Sequence, residues 1–238
     1  MGAARHDFAE DFSRLGALLF TATDWIFIPA YIALPFHDRV YMEIGLNETE
    51  VTDHFTGPAF LAWQRMGNIH SFAGPLGPKW RESRAALQAK IAARQREFGM
   101  KGVLPAFAGH VPAAITRLTP NVTHSADWCG FPANCGSSTL LEQSDPLFAK
   151  IGARFVELAS QAFGTDHIYN GDTFNEMVPS KSDPTYVADW GAAVYDAIRA
   201  GDPDGARRDS AEDFSRLNAL LCTAVDRILI PAYCFAIS

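Results

Sequence analysis

Apolar and polar positions fall along this chain in blocks that predict helices and strands by turns. Residues 78–98 read as a helix. Trp80, Ala85, Leu87, Ile91 and Phe98 recur at broadly helical spacing, Lys and Arg fill the other face, and Gly99 supplies a stop. Residues 102–107 form a short apolar run, predicted as a buried strand with Gly109 and His110 at its C-terminal end. A short helix over 112–118 and a long loop over 121–140 carrying Trp128 follow. Asp145 then fits an N-cap, Pro146 the first helical position and Gly164 the stop of a helix over 145–163. Residues 166–176 predict a strand that ends in the polar pair Asn175-Glu176. A Pro/Ser-rich loop over 178–184 leads to Asp183-Pro184, which opens a helix to residue 200. Strand–helix alternation of this kind predicts an α/β fold on a parallel sheet.

The two ends of the chain carry a repeat. Residues 7–31 recur as 209–233 with most positions identical, including Glu-Asp-Phe-Ser-Arg-Leu near the start and Ile-Pro-Ala-Tyr at the close. In the first copy Phe12, Leu15, Leu18 and Leu19 share one helical face behind an acidic first turn, which predicts a helix followed by an apolar strand. Residues 15–36 are long enough for a membrane span, but Asp24, Pro29 and Pro35 interrupt them, so no span is expected. Two copies this far apart are not a solenoid. The chain divides into an N-terminal segment 1–38, a central domain 39–206 and a C-terminal segment 207–238.

Charge and cysteines narrow the partners. A net charge of −7 argues against nucleic acid or anionic lipid, both of which select clustered Lys and Arg. No Cys or His spacing predicts a metal site, and no motif calls for a cofactor. Cys129 and Cys135 share a Gly/Pro/Asn loop and leave a disulfide open as an option in an oxidising compartment. Asn47-Glu-Thr49 and Asn121-Val-Thr123 are N-glycosylation sequons. The residues after Met1 do not form a signal-peptide n-region. Oligomeric state is not readable.

The candidate chemistry sits at Asn175-Glu176. A carboxylate at the C-terminal end of a strand, with a loop and helix behind it, occupies the place where an α/β barrel keeps its catalytic groups. Three ordered blocks then matter: Phe55-Thr-Gly-Pro-Ala-Phe-Leu-Ala-Trp-Gln-Arg-Met-Gly-Asn68, Val103-Leu-Pro-Ala-Phe-Ala-Gly-His-Val-Pro112, and Phe163-Gly-Thr-Asp-His-Ile-Tyr169 running into Asp172-Thr-Phe-Asn-Glu-Met177. The segment from Arg39 to about Asp204 resembles the catalytic barrel of the alpha-N-acetylglucosaminidase family of glycoside hydrolases.

That resemblance implies a partial (β/α)8 TIM barrel, truncated before its late strands and flanked by duplicated ends foreign to the family. It implies a retaining exo-glycosidase that releases terminal N-acetyl-α-glucosamine from heparan-type glycans, with a lysosomal or secretory location. It assigns Glu176 the acid/base role and Asn175 a sugar hydroxyl. Trp63 becomes an aromatic wall of the sugar site. His110 lies on the substrate side, either touching the sugar or orienting its neighbours; Asn68 and His70 are supporting groups, and Asp172 a buried acid that orients them. The family's nucleophile lies on a later strand with no counterpart here, so the expected site holds one of the two carboxylates that glycoside cleavage uses. Two other readings follow from the same residues: a non-catalytic sugar-binding remnant, or an interaction or membrane-associated protein built on the duplicated ends.

Overall fold

The computed structural model describes residues 34–57, 69–126, 128, 130–132, 134–171, 173, 174 and 177–206. Both copies of the terminal repeat, and with them the expected helix-then-strand ends, lie outside these residues. Helix α1 (Leu34–Glu43) runs across the boundary expected at residue 38 and is followed by the short α2 (Glu48–Thr52). The order continues as α3 (Pro78–Glu97), β1 (Val103–Pro105), β2 (His110–Val111), a 3-10 turn (Ala113–Arg117), β3 (Val122–His124), β4 (Thr139–Leu141), α4 (Pro146–Phe163), β5 (Ile168–Asn170), α5 (Pro184–Gly201) and α6 (Pro203–Ala206).

Among the described residues the strands make two small sheets. β1 pairs with β5 in parallel, with Val103 opposite Ile168 and Pro105 opposite Asn170. β4 lies between β2 and β3 in an antiparallel group. The parallel pair has the register expected of consecutive strands joined by a crossover helix, here α4. The antiparallel group is an excursion inserted between them. The long loop expected over 121–140 therefore contains β3 and closes on β4. Among the described residues the strand expected over 166–176 covers Ile168–Asn170, the residues that face β1. Residues 112–118 form a 3-10 turn rather than an α-helix.

The core lies between the parallel pair and the helices. Tyr41, Phe148, Phe155, Ile115 and Leu141 are fully buried, and Trp190 nearly so. α4 supplies Phe148, Ile151, Phe155, Val156, Leu158 and Phe163 from one face. It packs on α5 at Gly152, where an added Cβ would stand 2.6 Å from the Cβ of Ala197, so no larger residue allows this approach of the two helices.

α3 departs from the sequence reading. Its buried residues are Arg81 and Ala92, and the inward row is 81, 85, 88, 89, 92 and 96. Leu87 and Phe98, expected on the buried face, are 45% and 68% exposed. Ion pairs turned inward hold the helix together with the packing of Trp80, Ala89 and Ala92. Arg81 meets Asp38 of α1, and Arg96 donates to Asp166 at 2.9 Å and to the carbonyl of Phe163 at 2.5 Å. No helix among the described residues is long and apolar enough to cross a membrane.

Candidate functional site

The parallel pair brings two chain segments to one place: residues 106–110 after β1 and residues 171, 173 and 174 after β5. Ala106, Phe107 and Ala108 leave β1 fully buried, and the chain turns at Gly109 with φ +96°. A Cβ there would lie 2.4 Å from Cζ3 of Trp190, so both the backbone angle and the indole require glycine.

That turn delivers His110. Its Nε2 lies 3.0 Å from the carbonyl oxygen of Thr173. A carbonyl only accepts, so this nitrogen carries the proton and donates. The hydroxyl of Tyr41, on a completely buried side chain, donates to the carbonyl of His110 at 2.9 Å. His110 is thus gripped by α1 through its backbone and grips the segment after β5 through its ring. It is 7% exposed, and the ring nitrogen facing the strand end is spent on Thr173.

The segment after β5 is fixed on both sides of Asn175-Glu176. Phe174 packs edge-on against Trp190 with ring centroids 5.4 Å apart, and the Met177 N–H donates to the Phe174 carbonyl at 3.0 Å. Phe174 and Met177 both pack on the core. Asn175, Glu176, Asp172 and Trp63, with Asn68, lie outside the described residues.

A histidine group stands beside the strand ends. His54 lies against Tyr41 and Phe55, with ring centroids 6.3 and 5.0 Å away. Burial, aided by His70 and His110 nearby, depresses its pKa to about 3, so its imidazole is neutral at ordinary pH. Burial also lowers His70, whose backbone N–H donates to the carbonyl of Cys135 at 2.9 Å. Among the described residues no group of three His, Cys, Asp or Glu side chains suits a metal ion.

The other sequence candidates are placed as follows. Asn47 is exposed and caps α2: its side-chain oxygen accepts from the Glu50 N–H at 3.0 Å. Asn121 is also exposed, and its Nδ2 donates to Asp145 at 2.9 Å. Cys135 is a buried free thiol whose pKa burial pushes up, while Cys129 lies outside the described residues.

Sequence reasoning placed Gly109 at the strand end without giving it a role, and it passed over Thr173 and Trp190. It also passed over Tyr186, buried on α5, whose hydroxyl lies 3.0 and 3.2 Å from the two carboxylate oxygens of Glu142 and 2.9 Å from the Ser180 hydroxyl. The turn after β1 and the period of α5 carry some signal for Gly109 and Trp190. Thr173 acts through a backbone carbonyl, which no side-chain pattern reveals.

Known proteins match the same residues. The model of the alpha-N-acetylglucosaminidase (NAGLU) TIM-barrel domain matches residues 35–206. Human alpha-N-acetylglucosaminidase is 49% identical over 168 residues, which is 70% of this chain and 23% of the human protein. A family 89 glycoside hydrolase from Clostridium perfringens, solved in complex with PUGNAc, aligns with TM-score 0.62 at 26% identity, over 74% of this chain and 20% of that one. The same enzyme in complex with 2-acetamido-1,2-dideoxynojirmycin aligns at 0.63 with the same identity and coverage. The chain thus spans less than a quarter of the length of these relatives. With an α/β fold, paired parallel strands and a family match over most of its length, this chain belongs to the alpha-N-acetylglucosaminidase family.

Proposed function

We propose that the chain carries the acid/base side of a retaining glycosidase site for terminal N-acetyl-α-glucosamine, built on part of a (β/α)8 barrel. Glu176 is the proton donor and later the base, Asn175 holds a sugar hydroxyl, and Trp63 gives the pyranose an apolar wall. His110 is a positioning residue: it fixes the carbonyl of Thr173, three residues before Glu176. The observation that carries this reading is the family match, which runs through the segment anchored by Thr173, Phe174 and Met177.

Hydrolysis by this route passes through two steps. Glu176 protonates the glycosidic oxygen while a second carboxylate attacks the anomeric carbon, and Glu176 then deprotonates the water that releases the sugar. The resemblance puts that second carboxylate on a later strand, beyond the matched residues 35–206. Within the matched residues this reading therefore supplies a sugar-binding site with one catalytic carboxylate, and the binding-remnant reading shares its contacts. A lysosomal or secretory route fits the family and the exposed sequons at Asn47 and Asn121.

Titration of N-acetylglucosamine against tryptophan fluorescence tests the binding half. A saturating change that weakens in Asn175→Ala supports the proposal, and a flat response up to high millimolar sugar overturns it.

A further inference from the structure

The loop behind Asn175-Glu176 is tied to a ring on α5 that the proposed site does not use. Tyr186 is buried in the first turn of that helix. Its hydroxyl lies 3.0 and 3.2 Å from the two carboxylate oxygens of Glu142 and 2.9 Å from the Ser180 hydroxyl. A carboxylate only accepts, so the single Tyr186 proton goes to Glu142, and Ser180 donates to the Tyr186 oxygen. The next loop residue touches the same ring: the Lys181 ammonium lies 5.0 Å from its centre. One partner satisfies a buried tyrosine hydroxyl. Here the second is the hydroxyl of Ser180, an exposed loop residue.

The far end of this chain of bonds is fixed. Glu142 follows β4 directly, its N–H donates to the Asn121 carbonyl at 2.9 Å, and its own carbonyl accepts from the Asp145 N–H at 3.0 Å. One residue earlier, the Leu141 N–H donates to the carbonyl of Gly109 at 2.9 Å. The strand that leads into Glu142 therefore also holds the turn that delivers His110. Trp190 stands one turn after Tyr186 on α5, with ring centroids 6.4 Å apart, and packs on Phe174. One face of α5 thus touches both flanks of Asn175-Glu176: Trp190 meets Phe174 before the pair, and Tyr186 meets Ser180 after it.

We propose that Tyr186, braced by Glu142, is a positioning residue for the acid/base segment, and that the antiparallel group of β2, β4 and β3 serves the site through it. The inference rests on the reading of Glu176 as acid/base. Trp190 and His110 fix the approach to the pair, and the bond from Ser180 fixes the departure. A carboxyl that must meet a glycosidic oxygen within hydrogen-bond reach tolerates little swing of the backbone that carries it.

The test is hydrogen exchange on the full chain, read at the Met177 amide, which donates to the Phe174 carbonyl across Asn175-Glu176. Tyr186→Phe should speed its exchange by about fivefold, the scale of one lost hydrogen bond. Ser180→Ala should do the same, and the two together no more than either alone. Ser180→Thr, which keeps the hydroxyl, and Glu142→Gln, which keeps an acceptor, should stay close to wild type, as should Ser182→Ala in the same loop. The amide of Phe155 in α4 reports the global fold and should exchange unchanged. In the N-acetylglucosamine titration Tyr186→Phe should weaken binding by about threefold or more. Should Tyr186→Phe unfold the chain, Ser180→Ala, an exposed change, decides. Unchanged Met177 exchange in Ser180→Ala, an equal rise at Phe155 in that variant, or wild-type sugar affinity in a folded Tyr186→Phe would overturn the proposal. A flat titration of the wild type overturns the sugar-site reading instead. The exchange measurement needs no sugar and still decides the brace, so the two proposals fail separately.

Discussion

α3 and α4 are of similar length, each starts on a proline, and each leads into one strand of the parallel pair. They are held by opposite means. α4 has a side-chain cap, with Asp145 accepting from the Leu147 N–H at 2.8 Å, and it buries an apolar face running from Phe148 to Phe163. α3 begins at Gly77 without a side-chain cap and buries one arginine and one alanine. Its attachment combines inward ion pairs, Arg81 at one end and Arg96 at the other, with limited apolar packing by Trp80, Ala89 and Ala92. A helix with so narrow a buried face leaves most of its surface exposed, and here an outward stripe carries Lys79, Leu87, Lys90 and Arg94. A helix whose whole face is core has no such latitude.

The largest effect expected from this contrast is in the core. Phe155→Ala should cost about 3–5 kcal/mol, since a fully buried aromatic ring leaves a cavity beneath α4. Urea denaturation measures it. Arg96→Ala should cost about 2 kcal/mol, the scale of hydrogen bonds to a charged group, because Asp166 and the Phe163 carbonyl both lose a donor. A loss as large as that of Phe155→Ala would mean that α3 is core after all.

Asp145→Ala should cost about 1–2 kcal/mol at neutral pH, through the lost cap. This difference should depend on pH. Burial alone would raise the carboxyl's pKa, but hydrogen bonds from Thr119, the Leu147 N–H and Asn121 hold it below its ordinary value. A group depressed on folding stabilises above its unfolded pKa of about 3.9 and loses that stabilisation as pH falls through the lower folded value. Wild type and Asp145→Ala should therefore converge in stability below about pH 4. A constant gap across that range would assign the cap no charged character. The smallest effect is expected for Leu87→Ala on the outward stripe, within about 0.5 kcal/mol. A cost several times larger would show that the stripe is covered.

The same contrast explains what could be read in advance. The bounds of α4 were legible because Asp145, Pro146 and Gly164 are local signals that act on their own backbone. α5 opened legibly at Asp183-Pro184 for the same reason, with the Asp183 side chain accepting from the Thr185 N–H at 3.0 Å. The inward face of α3 was not legible, because Arg81 and Arg96 are turned inward by partners far away in sequence. Strand lengths were set at long range too. Ile168–Asn170 is a strand only as far as Val103–Pro105 lies opposite it. β3 and β4 were missed because strands of three residues carry no readable alternation. At the site, the family blocks marked His110, but its bond to the Thr173 carbonyl depends on the fold bringing two strand ends together.

The most direct test puts residues 39–206 in place of the matching segment of the human relative and measures hydrolysis of an α-linked N-acetylglucosaminyl disaccharide. The account predicts turnover by the chimera and a loss of about 10²–10⁴-fold in Glu176→Gln, the usual contribution of a general acid. The loss should be smaller with a nitrophenyl leaving group, which departs without protonation. Unchanged disaccharide turnover in Glu176→Gln would contradict the assignment of Glu176 as acid/base.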